Sequence, residues 1–167
     1  YPRQLDGVVT KVHLDSVATI RTGERLYDVD LLPVVAAQGS TPSFRALQAG
    51  LKGPDVRQLQ EMLKALRFRT AAADGVFGSG TASEVRAWQR ATGQPVTGVV
   101  ALGQIVFVPT LPVRAYLGSD ISVGGAQRDV PADSADARNG LVVISGGLSF
   151  QTVVSDTQAL AIEDGAL

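Results

Sequence analysis

Residues 74–89, DGVFGSGTASEVRAWQ, set a turn signal, a lone aromatic and a glycine pair directly before a helical pattern, in a chain otherwise written largely in strand text. Asp74-Gly75 reads as a turn that needs positive φ at the glycine, and Phe77 as an apolar plug between helices. Gly78 and Ser79 stand where the next helix needs a cap, while Ala82, Val85 and Trp88 supply its buried stripe. That helix, TASEVRAWQRATG over 81–93, is closed by its glycine. Upstream, GPDVRQLQEMLKALRF over 53–68 puts Val56, Leu59, Met62, Leu63 and Leu66 on one face, with Pro54 at a first helical position, and predicts another helix. The helical segment spans 43–107.

On both sides the period changes. Residues 5–35 alternate through Val8, Val12, Leu14, Ile20, Leu26 and Val29, and VVALGQIVFVP after Gly98 returns to strand composition. The flanks also match each other: Val12, Leu14, Ile20 and Gly23 recur as Val113, Ala115, Ile121 and Gly124 at one constant offset of 101. Two halves of one β motif separated by an insertion is the reading this favours. Beyond Asp133, DSADARNG is loop text, and LVVISGG, LSFQTVV and ALAIEDG read as short strands with glycine turns. Charge divides along the same boundaries. Residues 43–107 carry eight basic and four acidic side chains, a formal +4, against −5 for the remainder. A basic insert on an acidic frame favours an anionic partner.

With 167 residues, 45% hydrophobic and 19% charged, the chain has the composition of one ordinary globular domain or two small ones. No apolar run reaches the roughly 18 residues of a spanning helix. The opening YPRQLDG carries no leader pattern, and its abrupt start suggests a fragment whose leader or anchor lies outside it. Cysteine is absent and there is one histidine, so disulfides, thiolate chemistry and nearly every zinc site are excluded, and no metal or cofactor is expected.

Catalysis finds little support in the residues. His13 sits in alternating strand text with no nucleophile elbow anywhere, and paired carboxylates among Asp55, Glu61, Asp74 and Glu84 would need a sugar-sized cleft between them. The pairs Gly124-Gly125 and Gly146-Gly147 match no phosphate-binding loop. The arginine-rich faces lack interleaved aromatics, and a pI near 5.8 argues against nucleic acid.

The combination GPDVRQLQEMLKAL, DGVFGSGT and VRAWQRATGQPVTG resembles the peptidoglycan-binding domain of bacterial wall hydrolases, a small three-helix module. Asp74, Gly75, Phe77, Gly78, Thr81, Val85, Trp88 and Gln89 fall on its signature positions. Arg67-Phe68 replaces the family's usual leucine-glycine-tyrosine region. The flanks, VVTKVHLDSVATIRTGERLYDVD and VRAYLGSDISVGGAQ, resemble the two halves of the lipoyl-like barrel-sandwich domain of membrane fusion proteins, with Gly118, Ile121 and Gly124 at the expected spacing and Val17 where a glycine is usual. A lipoyl carrier role is rejected, because the insert replaces the hairpin that would bear the lysine.

The resulting expectation is an α+β chain. A lipoyl-like β domain (5–42 and 108–132) is split by a three-helix peptidoglycan-binding domain (43–107) and followed by the start of a β-barrel domain (133–167). The resemblance implies a non-enzymatic, extracytoplasmic adaptor, membrane-anchored through a segment outside this sequence. It would link a transporter, of the ABC type, to peptidoglycan or another anionic wall polymer, and could assemble as a homo-oligomer, in Gram-positive bacteria. Arg57, Arg86 and Arg90 are the candidate ligand contacts, with Trp88 either a stacking surface or, as its helical spacing suggests, core. Two alternatives stand beside this reading: the module as a protein interaction platform, and the module as the wall-targeting domain of a hydrolase.

Overall fold

The computed structural model describes residues 7–69, 71–119, 121–127, 141–144 and 150–153. In chain order these form β1 (Gly7–Val12), β2 (Ala18–Ile20), β3 (Arg25–Val29), β4 (Leu32–Gln38), α1 (Pro54–Ala65), α2 (Ser79–Ala91), β5 (Ile105–Val108), β6 (Val113–Leu117), β7 (Ala126–Gln127), β8 (Leu141–Ile144) and β9 (Phe150–Val153). One sheet has the order β5-β4-β3-β1-β7 and the other β2-β6-β8-β9. Strands from before and after the helices interleave in both. The 101-residue offset falls on two matching turns. Glu24 N donates to Arg21 O at 3.1 Å and Gly125 N to Ser122 O at 2.8 Å, each with a glycine at φ 85° just before the donor.

The pair that organises the molecule is β4 with β5. It is parallel, Val35 opposite Ile105 through Gln38 opposite Val108. Parallel neighbours need a crossover, and the helices provide it. The β4 sequence LPVVAAQ is an almost unbroken apolar run, as expected of a strand covered on both faces. Val35 and Ala37, with Ile105 and Phe107, share a core with Leu59, Met62, Phe77 and Trp88 of the helical segment. From the opposite face, Ala36 and Val108 pack with Leu14, Ile20, Leu26, Ala115 and Leu141.

Polar contacts add to this docking. Thr41 N donates to Gln58 Oε1 at 2.7 Å and Gln58 Nε2 returns a bond to Thr41 O at 2.8 Å. Arg25 of β3 donates to the carbonyl of Thr92, just past the end of α2. Leu66 covers Gly23 so closely that a Cβ there would lie 2.5 Å from its Cδ2.

The helical segment differs from the expected three-helix bundle: it contains two helices. α1 begins at Pro54 as read, and stops because Arg67 turns left-handed at φ 65°, with Phe68 N bonded back to Leu63 O. α2 begins two residues before Thr81, with Gly78 as its N-cap, and is closed by Gly93 at φ 72°. The chain before α1 is pinned by isolated bridges instead of coiling, Leu47 to Val100 and Lys52 to Val76. After α2, Gly93, Pro95, Gly98 and Gly103 interrupt any further helical run. LVVISGG and LSFQTVV yield β8 and β9, which extend the sheet of β2 and β6. DSADARNG, ALAIEDG and the first six residues lie outside the described residues.

Because β4 contributes to both cores, helices and sheets should unfold together. Trp88 is the sole tryptophan and is buried in the helical core. Its fluorescence should therefore share one urea midpoint with the far-ultraviolet β signal. Ala37→Asp, which places a carboxylate between sheet and helices, should lower both midpoints together by about 3 kcal/mol of stability. Separate transitions would refute the shared core.

Candidate functional site

The loops of the helical segment are held by buried glutamines. Gln60, on the inward face of α1, is fully buried. Its Oε1 accepts Gly75 N at 2.8 Å, while its Nε2 lies 2.8 Å from Asp74 Oδ1, 3.0 Å from Val76 O and 3.0 Å from Thr81 Oγ1. Asp74 Oδ1 also accepts Val76 N at 2.9 Å, closing the turn. Gly75 has φ 73°, and a Cβ there would press to 3.2 Å from Gly53 O, so both conformation and space select glycine. Phe77 then enters the core, its N–H donated to Leu51 O at 2.8 Å.

Gln89 on α2 does the same for the following loop. Its Oε1 accepts Thr97 N at 3.0 Å and Gly98 N at 2.9 Å, and its Nε2 donates to Val99 O at 2.8 Å. A third buried amide, Gln104, accepts Ala101 N at 3.0 Å and donates to Gln94 Oε1. An amide both donates and accepts without carrying charge, which suits it to satisfying loop backbone in an interior.

The signature positions therefore build the module. Gly75, Phe77, Thr81, Val85, Trp88 and Gln89 are buried, and Asp74, though exposed, spends its carboxylate on the turn. The Val76 N–H and the Gln60 amide hold the Asp74 carboxyl below the usual carboxylate range, with the charge of Arg69 adding to them. Trp88 is 1% exposed, so of the two readings the sequence offered, core rather than stacking surface describes it. Gly78 is exposed and serves as cap.

Arginines divide into two kinds. Arg45 grips Asp55 through Nε at 2.6 Å and an NH2 contact at 3.0 Å. Arg69, one of the eight basic residues of the segment, is buried, with NH1 at 2.7 Å from Glu84 and NH2 at 2.6 Å from Ala72 O. Arg57, Arg86 and Arg90 are exposed, and their side chains have no hydrogen bond or ion pair among the described residues. Arg86 and Arg90 are one turn apart on α2, whereas Arg57 lies on α1 beside Gly75. Sequence reading missed Gln60. The signal was present as a polar residue at the spacing of the buried stripe, four residues from Val56 and three from Leu63.

Elsewhere, His13 Nε2 lies 2.9 Å from Asp28 Oδ1, an isolated pair beside β3. Among the described residues no three His, Cys, Asp or Glu side chains converge as metal ligands, and no helix is long and apolar enough to cross a membrane.

Residues 52–100 match the family described as a putative peptidoglycan binding domain. Two spore cortex-lytic enzymes of Bacillus cereus are each 44% identical to the chain over 57 residues, 34% of this chain and 22% of theirs. The chain thus spans about a fifth of the length of these relatives. A solved structure titled "The crystal structure of SleB N-terminal domain" is 39% identical, covering 38% of this chain and 88% of that one, at a TM-score of 0.37. These findings correct the expected non-enzymatic adaptor of a transporter. The relatives that share the module are named as lytic enzymes, and nothing in the comparisons shows a membrane fusion protein or a transporter partner.

Two expected outcomes test this site. Gln60→Leu keeps approximate volume but orphans the buried Gly75 N–H and takes one of its donors from the Val76 carbonyl, and should destabilise by about 3 kcal/mol in urea melts. Gln89→Leu should match it within about 1 kcal/mol, because it strips an equivalent loop. Folding lowers the Asp74 pKa, so its stabilisation is complete above the unfolded value of about 3.9 and is lost as pH falls through the lower folded value. Asp74→Asn should accordingly lose less stability than the parent as pH falls below about 4; identical acid limbs would rule out the turn as the cause.

Proposed function

We propose that the chain belongs to a wall-lytic enzyme and that its helical segment is the part that targets the enzyme to peptidoglycan, outside the cytoplasm. The observation that carries this reading is the 44% identity with two spore cortex-lytic enzymes over the 57 residues of the module. The site geometry supports it. The signature residues are spent on holding two loops rigid, and the exposed Arg57 and Arg86 stand beside those loops as attachment points for wall carboxylates. We also propose that the flanks form a single barrel-sandwich unit into which the module is inserted, a reading supported by the interleaving of their strands in both sheets. With both ends of the module on adjacent strands, the β unit and the module would meet the wall in one fixed orientation.

Co-sedimentation with purified insoluble peptidoglycan tests the targeting role. The 167-residue chain should pellet with the wall, with retention falling as salt is raised from about 0.05 to 0.5 M, where screening lengths shrink below the reach of surface pairs. A chain left in the supernatant at every salt concentration would end the wall-targeting reading.

A further inference from the structure

α1 and α2, each with the loop that follows it, are two copies of one structural unit. Val56-Arg57-Gln58-Leu59-Gln60 leads to Asp74-Gly75-Val76-Phe77, and Val85-Arg86-Ala87-Trp88-Gln89 leads to Thr97-Gly98-Val99-Val100. The correspondence extends to individual atoms. In each, glutamine Oε1 accepts the glycine N–H (2.8 and 2.9 Å) and Nε2 donates to the valine carbonyl (3.0 and 2.8 Å). In each, the side chain before the glycine accepts the valine N–H, Asp74 at 2.9 Å and Thr97 at 3.1 Å. The glycines share φ 73° and 77°, and the closing residues donate to the segment before α1, Phe77 to Leu51 O and Val100 to Leu47 O.

The duplication sorts the arginines. The acid preceding each valine, Asp55 or Glu84, is already engaged by an arginine from upstream, Arg45 or Arg69. The arginine after the valine is left exposed without a partner among the described residues. Each lies beside the glycine of its own unit, Arg86 with its guanidinium over Gly98 and Arg57 with its Cβ near Gly75. A Cβ on Gly98 would lie 2.9 Å from Arg86 Nε, and one on Gly75 would lie 3.7 Å from Arg57 Cβ. Arg90 has no such counterpart, since Glu61 occupies the matching place.

We propose that Arg57 and Arg86 are two equivalent anion-binding positions of a duplicated module, taking carboxylates of the repeating peptide units of peptidoglycan. The assignment rests on the wall-targeting reading above. Guanidinium binds carboxylate with two parallel hydrogen bonds, and a side chain packed beside a rigid loop loses less freedom on binding than a free one. Two like positions on one rigid body suit a polymer that repeats its charge, because the second attachment is intramolecular.

The test uses the whole chain on two insoluble walls, one intact and one stripped of phosphate-bearing polymers, with emission of Trp88 confirming that each variant is folded. Arg57→Ala and Arg86→Ala should each weaken retention on the stripped wall about tenfold and to the same extent, and the double variant about a hundredfold. Arg90→Ala should change it less than about twofold. Loss confined to one of the two arginines, or an equal loss from Arg90→Ala, overturns the duplicated site. Effects seen only on the unstripped wall overturn the carboxylate assignment in favour of phosphate. If the unaltered chain binds neither wall, the targeting reading falls and this inference with it; if it binds both and no variant matters, only the inference falls.

Discussion

The constraint on which the rest of this structure depends is the parallel pairing of β4 with β5. A parallel pair cannot be closed by a hairpin, so the chain between Gln38 and Ile105 must leave the sheet, cross and return. Here the crossover is the whole helical module, and its ends sit on neighbouring strands about 5 Å apart. Ala36 and Ala37 then matter for their size. They let the second sheet approach from one side and the helices from the other, so that one strand seals two cores. A module attached in this way moves with its frame, in contrast to one on a flexible linker.

Within the module, buried amides take the place of a third helix. Irregular chain normally stays at the surface because its backbone groups need water. Gln60, Gln89 and Gln104 supply those bonds internally, and their neutrality spares the interior the cost of an unpaired charge. Where carboxylates do enter, at Asp55 and Glu84, each is met by an arginine. Of this polar interior, Arg69 Nε alone among the described residues is left buried without a partner, and the loops are rigid enough to present side chains at set positions.

What could be read from the sequence followed from local physics. The spacing of Val56, Leu59, Met62 and Leu63 gave α1, and Ala82, Val85 and Trp88 gave α2, with Pro54 and Gly93 marking ends. The positive φ of Gly75 and the burial of Phe77 also followed from the turn text. The third helix did not exist because bridges such as Leu47 to Val100 depend on partners fifty residues away, which no local pattern reports. The burial of Arg69 was illegible for the same reason: its carboxylate, Glu84, is fifteen residues distant. The offset of 101 between the flanks was visible, yet the closer match of VRQLQ with VRAWQ was overlooked, since its two copies differ at the large apolar position, Leu59 against Trp88. For function, the flanks carried a resemblance on a few spaced positions, while the module carried 44% identity, and it was the module that identified relatives.

The placement of the signature residues bears on how such a module can be interpreted. A turn glycine, a plugging phenylalanine, a core tryptophan and a stapling glutamine are all interior, so a match at these positions certifies a scaffold. Recognition of a ligand must come from side chains the signature leaves free, and in this chain those are cations whose neighbouring acids are already taken. Neutralising Asp55 and Glu84 inside the fold has an outward consequence: it leaves the formal +4 of the helical segment concentrated in unpaired exposed side chains. The same pairs that allow acids to be buried thus set the sign of the surface the wall would meet.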